Sequence, residues 1–197
     1  MLKRNNHIEY TLYLQICYKW LWICGNGIVA NGVKDRKRKL WEEGNMAVET
    51  KMFGTIEIEE EKIITFEKGL IGLPDLNKFA LITDAEETET HIQWLQSLDE
   101  PAMALPIINP YEIIKEYNPI VEDELLKPLG EFKEENLMRM VTIRVPSDIK
   151  QMTINLKGPI IINAETRKGC QIIVEDDLPV RYPVYEILEK KKEKAGE

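Results

Sequence analysis

A period of two in the apolar residues, repeated in many short runs, constrains the fold of this chain more than any other feature. Residues 55–59 and 151–156 place apolar and polar side chains in strict alternation, which is typical of strands with one buried face. Seven further runs are rich in β-branched or aromatic residues and end near Gly, Pro, Asn or Asp. They are Lys62–Phe66, Phe79–Asp84, His91–Leu98, Ala102–Ile108, Leu137–Val145, Pro159–Asn163 and Gln171–Glu175.

Nine such runs within about 120 residues predict an all-β fold, either a barrel or a sandwich. We expect a single β-barrel-like domain of short antiparallel strands with one or two short helices. One helix is predicted at Asp123–Leu129, which begins with acidic residues and is followed by Gly130. The other candidate is Val184–Lys194, a charged segment that we expect to be a frayed helix or a tail.

The charge divides the chain into two parts. Residues 1–45 carry eight Lys and Arg against four Asp and Glu, whereas residues 46–197 carry eighteen against thirty, so their net charges are +4 and −12. The codons for residues 42–44 must be purine-rich, like a bacterial ribosome-binding site, and they precede an in-frame Met46. We therefore expect residues 1–45 to be upstream sequence translated from a misassigned start. A membrane-associating or disordered N-terminal arm is the alternative.

The part that begins at Met46 has about 150 residues, enough to bury one core. We expect residues 46–185 to form the β-barrel domain and residues 186–197 to form a charged C-terminal helix or tail. Cys170 is the single cysteine after Met46, so this part cannot form an internal disulfide. That fits a reducing, cytoplasmic location.

Nucleophiles and bases are scarce after Met46. The candidates are Ser97, Ser147 and Cys170, and His91 would have to activate any of them. Neither serine has the flanking glycines of a nucleophile elbow. The paired Cys and His spacings of a zinc site and the lysine-containing end of a phosphate-binding loop are also missing from the sequence. We expect no catalytic site, no metal site and no cofactor, with a small hydrolase as the enzymatic alternative.

The net charge of −12 after residue 45 bears on possible partners. It would repel a nucleic acid unless the fold gathered its basic residues into a stripe, so an RNA-binding β-barrel is a second alternative. An acidic surface instead attracts a basic protein and speeds its association. For residues 46–197 we expect no direct contact with nucleic acid and none with a membrane.

Several motifs of the chain occur in an order known from one family. They are Thr50–Ile58 (TKMFGTIEI), Ile63–Leu73 (IITFEKGLIGL), Lys78–Ile82, Trp94–Pro101 (WLQSLDEP), Val141–Ile143, Met152–Asn163 (MTINLKGPIIIN) and Arg167–Gln171. This order resembles the flagellar assembly factor FliW family. The resemblance extends over residues 48–183, and the WLQSLDEP and NLKGPIIIN runs are its most specific parts.

The resemblance implies a cytoplasmic, β-barrel-like binding module that is not an enzyme. FliW-like proteins bind the small RNA-binding regulator CsrA and also flagellin, and these two ligands compete. When flagellin accumulates it occupies the module, and the released CsrA represses translation of flagellin messenger RNA. We therefore expect CsrA and flagellin to be the partners of this chain.

Eight residues are candidates for contact with a partner: Glu57, Glu59, Gln96, Asp99, Glu100, Pro101, Asn109 and Pro110. The loop at 99–101 and the turn at 109–110 are polar and rigid, and we expect them to lie at one end of the barrel. The two glutamates of the strand at 55–59 face outward and would meet a basic partner. Gln96 shares a strand face with Trp94, which we expect to be a core residue. An ordinary solvated surface is the alternative for each candidate.

Overall fold

The structure, a computed structural model, describes residues 41–42, 45–83 and 92–195. Predictions that concern residues 1–40, Asp84 or His91 lie outside these residues. The described strands are β1 (Trp41–Glu42), β2 (Asn45–Thr50), β3 (Gly54–Glu59), β4 (Ile64–Phe66), β5 (Lys78–Thr83), β6 (Gln93–Ser97), β7 (Ala104–Ile108), β8 (Leu137–Arg144), β9 (Thr153–Ile154), β10 (Ile160–Asn163), β11 (Lys168–Gln171) and β12 (Tyr182–Pro183). The helices are α1 (Asp123–Leu126) and α2 (Tyr185–Ala195), with short 3-10 segments at Glu60–Lys62, Pro110–Glu112, Lys127–Leu129, Glu134–Asn136 and Ile149–Gln151.

Seven of the described strands close into a barrel. The order round the ring is β4-β5-β6-β7-β8-β10-β11, and β11 pairs with β4 again. If every neighbouring pair were antiparallel, directions would alternate and the number of strands would be even. A ring of seven therefore needs a parallel pair, which β4 and β11 supply where Phe66 lies opposite Gly169. The expected barrel of short, mainly antiparallel strands is confirmed.

The strand β8 belongs to the barrel and to a small second sheet. Its first four residues, 137–140, pair with β10 and so close the ring. Its last two residues pair with β9, and β9 also pairs with β12. A separate sheet consists of the β2–β3 hairpin with β1 added at the start of β2. The barrel thus carries an attached hairpin and a short sheet that extends from one of its own strands.

Inward-pointing side chains fill the barrel. Ile64, Phe66, Phe79, Leu95 and Ile107 join residues of β8 and β10 in one buried cluster. Phe66 and Phe79 are completely buried, and their rings meet edge to face with centroids 5.2 Å apart. In a barrel of this size the interior is just wide enough for side chains, so its centre is an apolar core.

Three further elements cover the outside of the barrel. The β2–β3 hairpin packs on β5 through a cluster that includes Val48, Ile58 and Ala80. The helix α1 covers β10 through Leu126, and α2 covers the β8–β9 sheet through Leu188. Because of these covers, β10 is buried at every position and needs apolar side chains on both faces.

The sequence pattern predicts β3 to β10 with shifted ends, but it does not predict β1, β2 or β12. The position of one strand is predicted wrongly: the pattern predicts Gln171–Glu175, whereas β11 is Lys168–Gln171. The predicted residues remain extended, because the N–H groups of Ile172 and Val174 donate to carbonyls of the 157–159 segment. The observed strand β11 begins with Lys168 and Gly169, so its first residues do not show the alternation of apolar and polar side chains.

Both helices occur where the sequence predicts them. The helix α1 tightens into a 3-10 turn at Lys127–Leu129 and stops at Gly130, whose φ of 74° favours glycine. Leu188 of α2 is buried, so the C-terminal segment packs on the core as a helix. Within the described residues, neither helix combines the length and the apolar character that a membrane span needs. The start of translation at Met46 remains a prediction.

At Gly169 the backbone of β11 passes against the ring of Phe66. A Cβ atom at this position would lie less than 3 Å from three carbons of that ring. The ring cannot move away easily, because Phe66 is completely buried against Phe79. Glycine is therefore required at the parallel pair that completes the barrel.

We expect Gly169→Ala to lower the free energy of unfolding by about 1 to 3 kcal/mol, because the added methyl group overpacks the core. Urea unfolding measures this change. Combining it with Phe66→Leu, which makes room, should give a smaller loss than the sum of the two single substitutions. Simple additivity would contradict the proposed contact.

Candidate partner-binding surface

The loop between β6 and β7, Ser97–Met103, is held in one shape by its own hydrogen bonds; we call it the 97–103 loop. The N–H of Ser97 donates to the carbonyl of Met103 at 2.9 Å, and the N–H of Met103 donates to the carbonyl of Glu100 at 2.9 Å. The N–H of Glu100 donates to Oγ of Ser97 at 3.0 Å. The loop is therefore a tight turn whose shape is set before any partner binds.

Gln96 supports this loop from inside the protein. Its Nε2 donates to the carbonyls of Ser97, Pro101 and Met103 at 2.9, 3.1 and 3.0 Å. Three converging carbonyl oxygens fix the orientation of the amide, since a flipped side chain would point its own oxygen at them. The residue is completely buried. The prediction that Gln96 contacts a partner directly does not agree with this position, because its side chain is enclosed beneath the loop.

Asp99 is also used inside the fold. Its Oδ2 accepts the N–H groups of Asn77 and Lys78, both at 2.8 Å, where the chain enters β5. Hydrogen bonds of this kind to a carboxylate are among the stronger ones in proteins. The side chain is half-buried. Asp99 thus ties the 97–103 loop to the neighbouring strand and shapes the surface more than it presents charge.

The β2–β3 hairpin turn packs against the same loop. The N–H of Lys51 donates to the carbonyl of Pro101 at 3.3 Å. The ring of Phe53 lies edge to face on Trp94, with centroids 5.9 Å apart. The buried Thr50 closes the turn by donating to the carbonyl of Gly54 at 2.9 Å. The hairpin and the loop therefore form one continuous surface, with Trp94 beneath it as a core residue.

Three predicted acids of this region have exposed side chains: Glu57, Glu59 and Glu100. Glu59 forms an ion pair with Lys62 at 2.8 Å, and the hydrogen bond and charge of that lysine lower the pKa of Glu59. An exposed pair of this kind adds little to stability, but the lysine offsets part of the negative charge. Glu57 and Glu100 are therefore the predicted acids that contribute most to the negative potential of this surface.

The turn at Asn109–Pro110 does not join this surface, which corrects the expectation that both turns lie at one end of the barrel. The 97–103 loop precedes β7 and the 109–110 turn follows it, so the five residues of β7 separate them by about 16 Å. Oδ1 of Asn109 accepts the N–H of Tyr111 at 3.0 Å and caps a 3-10 segment. Pro110 is buried, so this turn is mainly structural.

Two of the three nucleophiles that a hydrolase would use, Ser97 and Cys170, lie far apart in the barrel. Ser97 is completely buried at the end of β6. Cys170 lies on β11, which is separated from β6 by β4 and β5, about 14 Å round the sheet. Burial raises the pKa of the Cys170 thiol to about 11, so this group is protonated at neutral pH. It packs among apolar neighbours such as Ile172.

Two observations within the described residues bear on the metal and nucleic-acid alternatives. No group of three His, Cys, Asp or Glu side chains within the described ranges is arranged to hold a metal ion. Trp94 is only 7% exposed and so cannot serve as a stacking platform for a nucleic-acid base.

Sequence reasoning missed the hairpin turn as part of the surface. The signal was present in Phe53-Gly54: Gly54 has a φ of 68°, and such a residue after a polar cap such as Thr50 marks a tight turn. The packing of this turn against Pro101 is a tertiary contact that no local pattern encodes.

The chain is similar to known proteins both in sequence and in structure. Residues 47–184 match the family model described as FliW protein. The flagellar assembly factor FliW of Lachnoclostridium phytofermentans is 50% identical over 151 residues, covering 76% of this chain and 97% of that protein. The one of Lachnospira eligens is 49% identical over 150 residues, covering 75% and 99%. A crystal structure of the flagellar assembly factor FliW is similar with a TM-score of 0.65 at 29% identity, covering 71% of this chain and 96% of that one.

We expect Asp99→Ala to destabilise the fold by about 1.5 to 3 kcal/mol, because two backbone N–H groups lose a charged acceptor. Asp99→Asn, which keeps an acceptor oxygen, should cost less. Glu100→Ala serves as the surface control and should stay within about 0.5 kcal/mol of the parent. Chemical denaturation of the three variants checks this order, and an unchanged Asp99→Ala variant would contradict the tethering role.

We expect Cys170 to react slowly with a thiol reagent. Its pKa is raised from 9.0 to about 11, so at pH 8 the thiolate is about 100-fold rarer than for an ordinary cysteine. The rate should rise about tenfold for each pH unit up to about pH 11. Stopped-flow labelling of a Cys17→Ser, Cys24→Ser variant measures this profile. A fast reaction that levels off near pH 7 would indicate an activated thiol instead.

Proposed function

Because this chain belongs to the FliW family of flagellar assembly factors, we propose that it couples flagellin production to flagellum assembly by binding one protein ligand at a time. In this proposal the protein works in the cytoplasm and binds the translational repressor CsrA and flagellin. Flagellin that accumulates occupies the protein, and the released CsrA represses translation of flagellin messenger RNA. Export of flagellin reverses the switch.

The observation that carries the proposal is the preorganised surface formed by the 97–103 loop and the β2–β3 hairpin. Partly buried hydrogen bonds that Nε2 of Gln96 donates and that Oγ of Ser97 accepts hold the loop before a partner arrives. A surface that is already ordered loses little conformational entropy on binding. This favours a stable protein interface over a site that must fold around its ligand.

Charge supports CsrA as one of the two ligands. An RNA-binding protein carries Lys and Arg that contact phosphates, and residues 46–197 have a net charge of −12. Glu57 and Glu100 bring part of this charge to the candidate surface. Opposite charges on two proteins raise the association rate and orient the encounter.

The proposed switch requires occupancy alone. A protein held by one ligand is unavailable to the other, so the free concentration of CsrA follows the amount of unsecreted flagellin by mass action. No chemical step is needed, which agrees with the separation of Ser97 and Cys170 in the barrel.

We expect Glu100→Lys to weaken CsrA binding about fivefold to tenfold at low salt, because the charge is reversed where a basic partner approaches. The difference should shrink as salt screens the charges. Calorimetric titration of purified CsrA at two salt concentrations measures both effects, with Glu57→Lys as a second variant on the same surface.

Glu193→Lys is the matched control. It makes the same change in net charge on an exposed side chain of α2, and α2 packs at the opposite end of β6 from the loop, beside Ile92. An equal loss of affinity in this control would show that only the total charge matters. Formation of a ternary complex with CsrA and flagellin would rule out exclusive binding.

A further inference from the structure

A groove follows the outer face of β8 and β10, across the barrel from the β2–β3 hairpin. Leu137, Arg139 and Ile161 form its floor, and the segment 117–134, which contains α1, forms its wall. The cavity has a volume of about 290 Å³. This is at the small end for ligand pockets and suits one or two side chains of a peptide.

Strand alternation places the floor residues in the groove. Met138 and Met140 of β8 point into the barrel core, so Leu137 and Arg139 point outward. In the pairing of β8 with β10, Arg139 lies directly opposite Ile161. The floor is therefore apolar with one cation, and its position follows from the closure of the barrel.

The wall of the groove is fixed at both ends. The hydroxyl of the buried Tyr117 donates to the carbonyl of Leu156 at 2.8 Å. At the other end, Nδ2 of the fully buried Asn163 donates to the carbonyls of Leu129 and Glu131 at 3.1 and 3.0 Å. The segment between these anchors does not need a ligand to take its shape.

Apolar side chains of this fixed segment nevertheless face the solvent. Ile120 is 79% exposed, Leu125 is 42% exposed and Phe132 is 39% exposed, and Phe132 lines the groove itself. Single exposed apolar residues are common, so the one that bears on the groove is Phe132, an exposed aromatic side chain inside a concave site. Their exposure is not a sign of loose packing, since Leu126 and Leu129 of the same segment are buried.

The segment that forms the wall is acidic, and two of its acids, Asp123 and Glu134, line the groove. Residues 116–135 contain seven Asp and Glu against two Lys, and Lys127 is paired with Glu124 at 2.6 Å. Arg139 in the floor is paired with Glu134 at 2.8 Å, so its charge is already compensated. The electrostatic potential around this segment is therefore negative.

We propose that this groove is a docking site for a short segment of a partner protein that carries an apolar side chain between basic ones. The apolar side chain enters the cavity beside Phe132 and Ile161, and the basic side chains face the acidic wall, including Asp123. Acidic segments do not fit, because the wall would repel them. The inference rests on the proposed function only in that the occupant belongs to a protein.

The test uses the full chain, isotopically labelled, and a blocked pentapeptide with the sequence Gly-Lys-Leu-Lys-Gly as the probe. In amide NMR spectra we expect saturable shifts at residues 117–139 and 159–161. Replacing the leucine of the peptide by serine, or both lysines by glutamate, should weaken binding at least tenfold. No shifts, or shifts that map to the 97–103 loop, would overturn the proposal.

Phe132→Ala should weaken the peptide about tenfold through loss of the apolar contact. Ile71→Ala is the control, since Ile71 is 53% exposed but does not line the groove. If Phe132→Ala does not fold, Asp123→Asn is the test variant. We expect it to lower the affinity for the peptide about threefold, and Asp75→Asn is its control. If whichever of these two groove variants folds binds the peptide as tightly as the wild-type protein does, the proposal is overturned.

Failure of the groove and failure of the proposed function give different results. If the peptide binds in the groove but the wild-type protein does not bind CsrA or flagellin, the proposed function is wrong and the docking site is supported. If CsrA binds the wild-type protein and the peptide does not bind in the groove, the docking-site proposal is wrong and the proposed function is supported.

Discussion

Pairing of β8 with β10 closes the barrel, and the rest of the structure depends on it. Closure removes the open sheet edges and encloses one apolar core. With seven strands it also forces the parallel pair of β4 and β11, where Gly169 admits the ring of Phe66. The strands that result are too apolar to leave their outer faces in water, so the hairpin, α1 and α2 must cover them. Both candidate surfaces lie at the margins of these covers.

The fully or nearly fully buried polar side chains of the described residues have a common role. They are Thr50, Gln96, Ser97 and Asn163. Thr50 closes the hairpin turn, Gln96 and Ser97 hold the 97–103 loop, and Asn163 holds the wall of the groove. Burying a polar group is costly unless it is hydrogen-bonded. In this protein the hydrogen bonds of these side chains hold the loops of the two candidate surfaces in one shape, although Oε1 of Gln96 is buried without a partner.

Local pattern predicts most of the strands and both helices, because alternation and turn residues are recorded in neighbouring positions. It fails at β2, the middle strand of the β1–β2–β3 sheet, whose six residues carry little apolar signal, and at β11, where Lys168 and Gly169 interrupt the period. For the surface, composition identifies the acids, and Glu57 and Glu100 are indeed exposed. The burial of Gln96 could not be predicted, since it depends on which elements pack on β6. The distance between the two turns was predictable, because one predicted strand, Ala102–Ile108, lies between them.

A rigid scaffold limits how two ligands can exclude one another. Allosteric exclusion needs an element with two arrangements that the ligands bias differently. The 97–103 loop is tied by Asp99 to the start of β5 and by Gln96 from below, so a second arrangement would break several hydrogen bonds at once. In a scaffold of this kind, the exclusive binding of CsrA and flagellin that we propose would follow most simply from overlapping footprints on one surface. The groove on the opposite side of the barrel would then add affinity for a ligand that reaches both surfaces without being part of the competition itself.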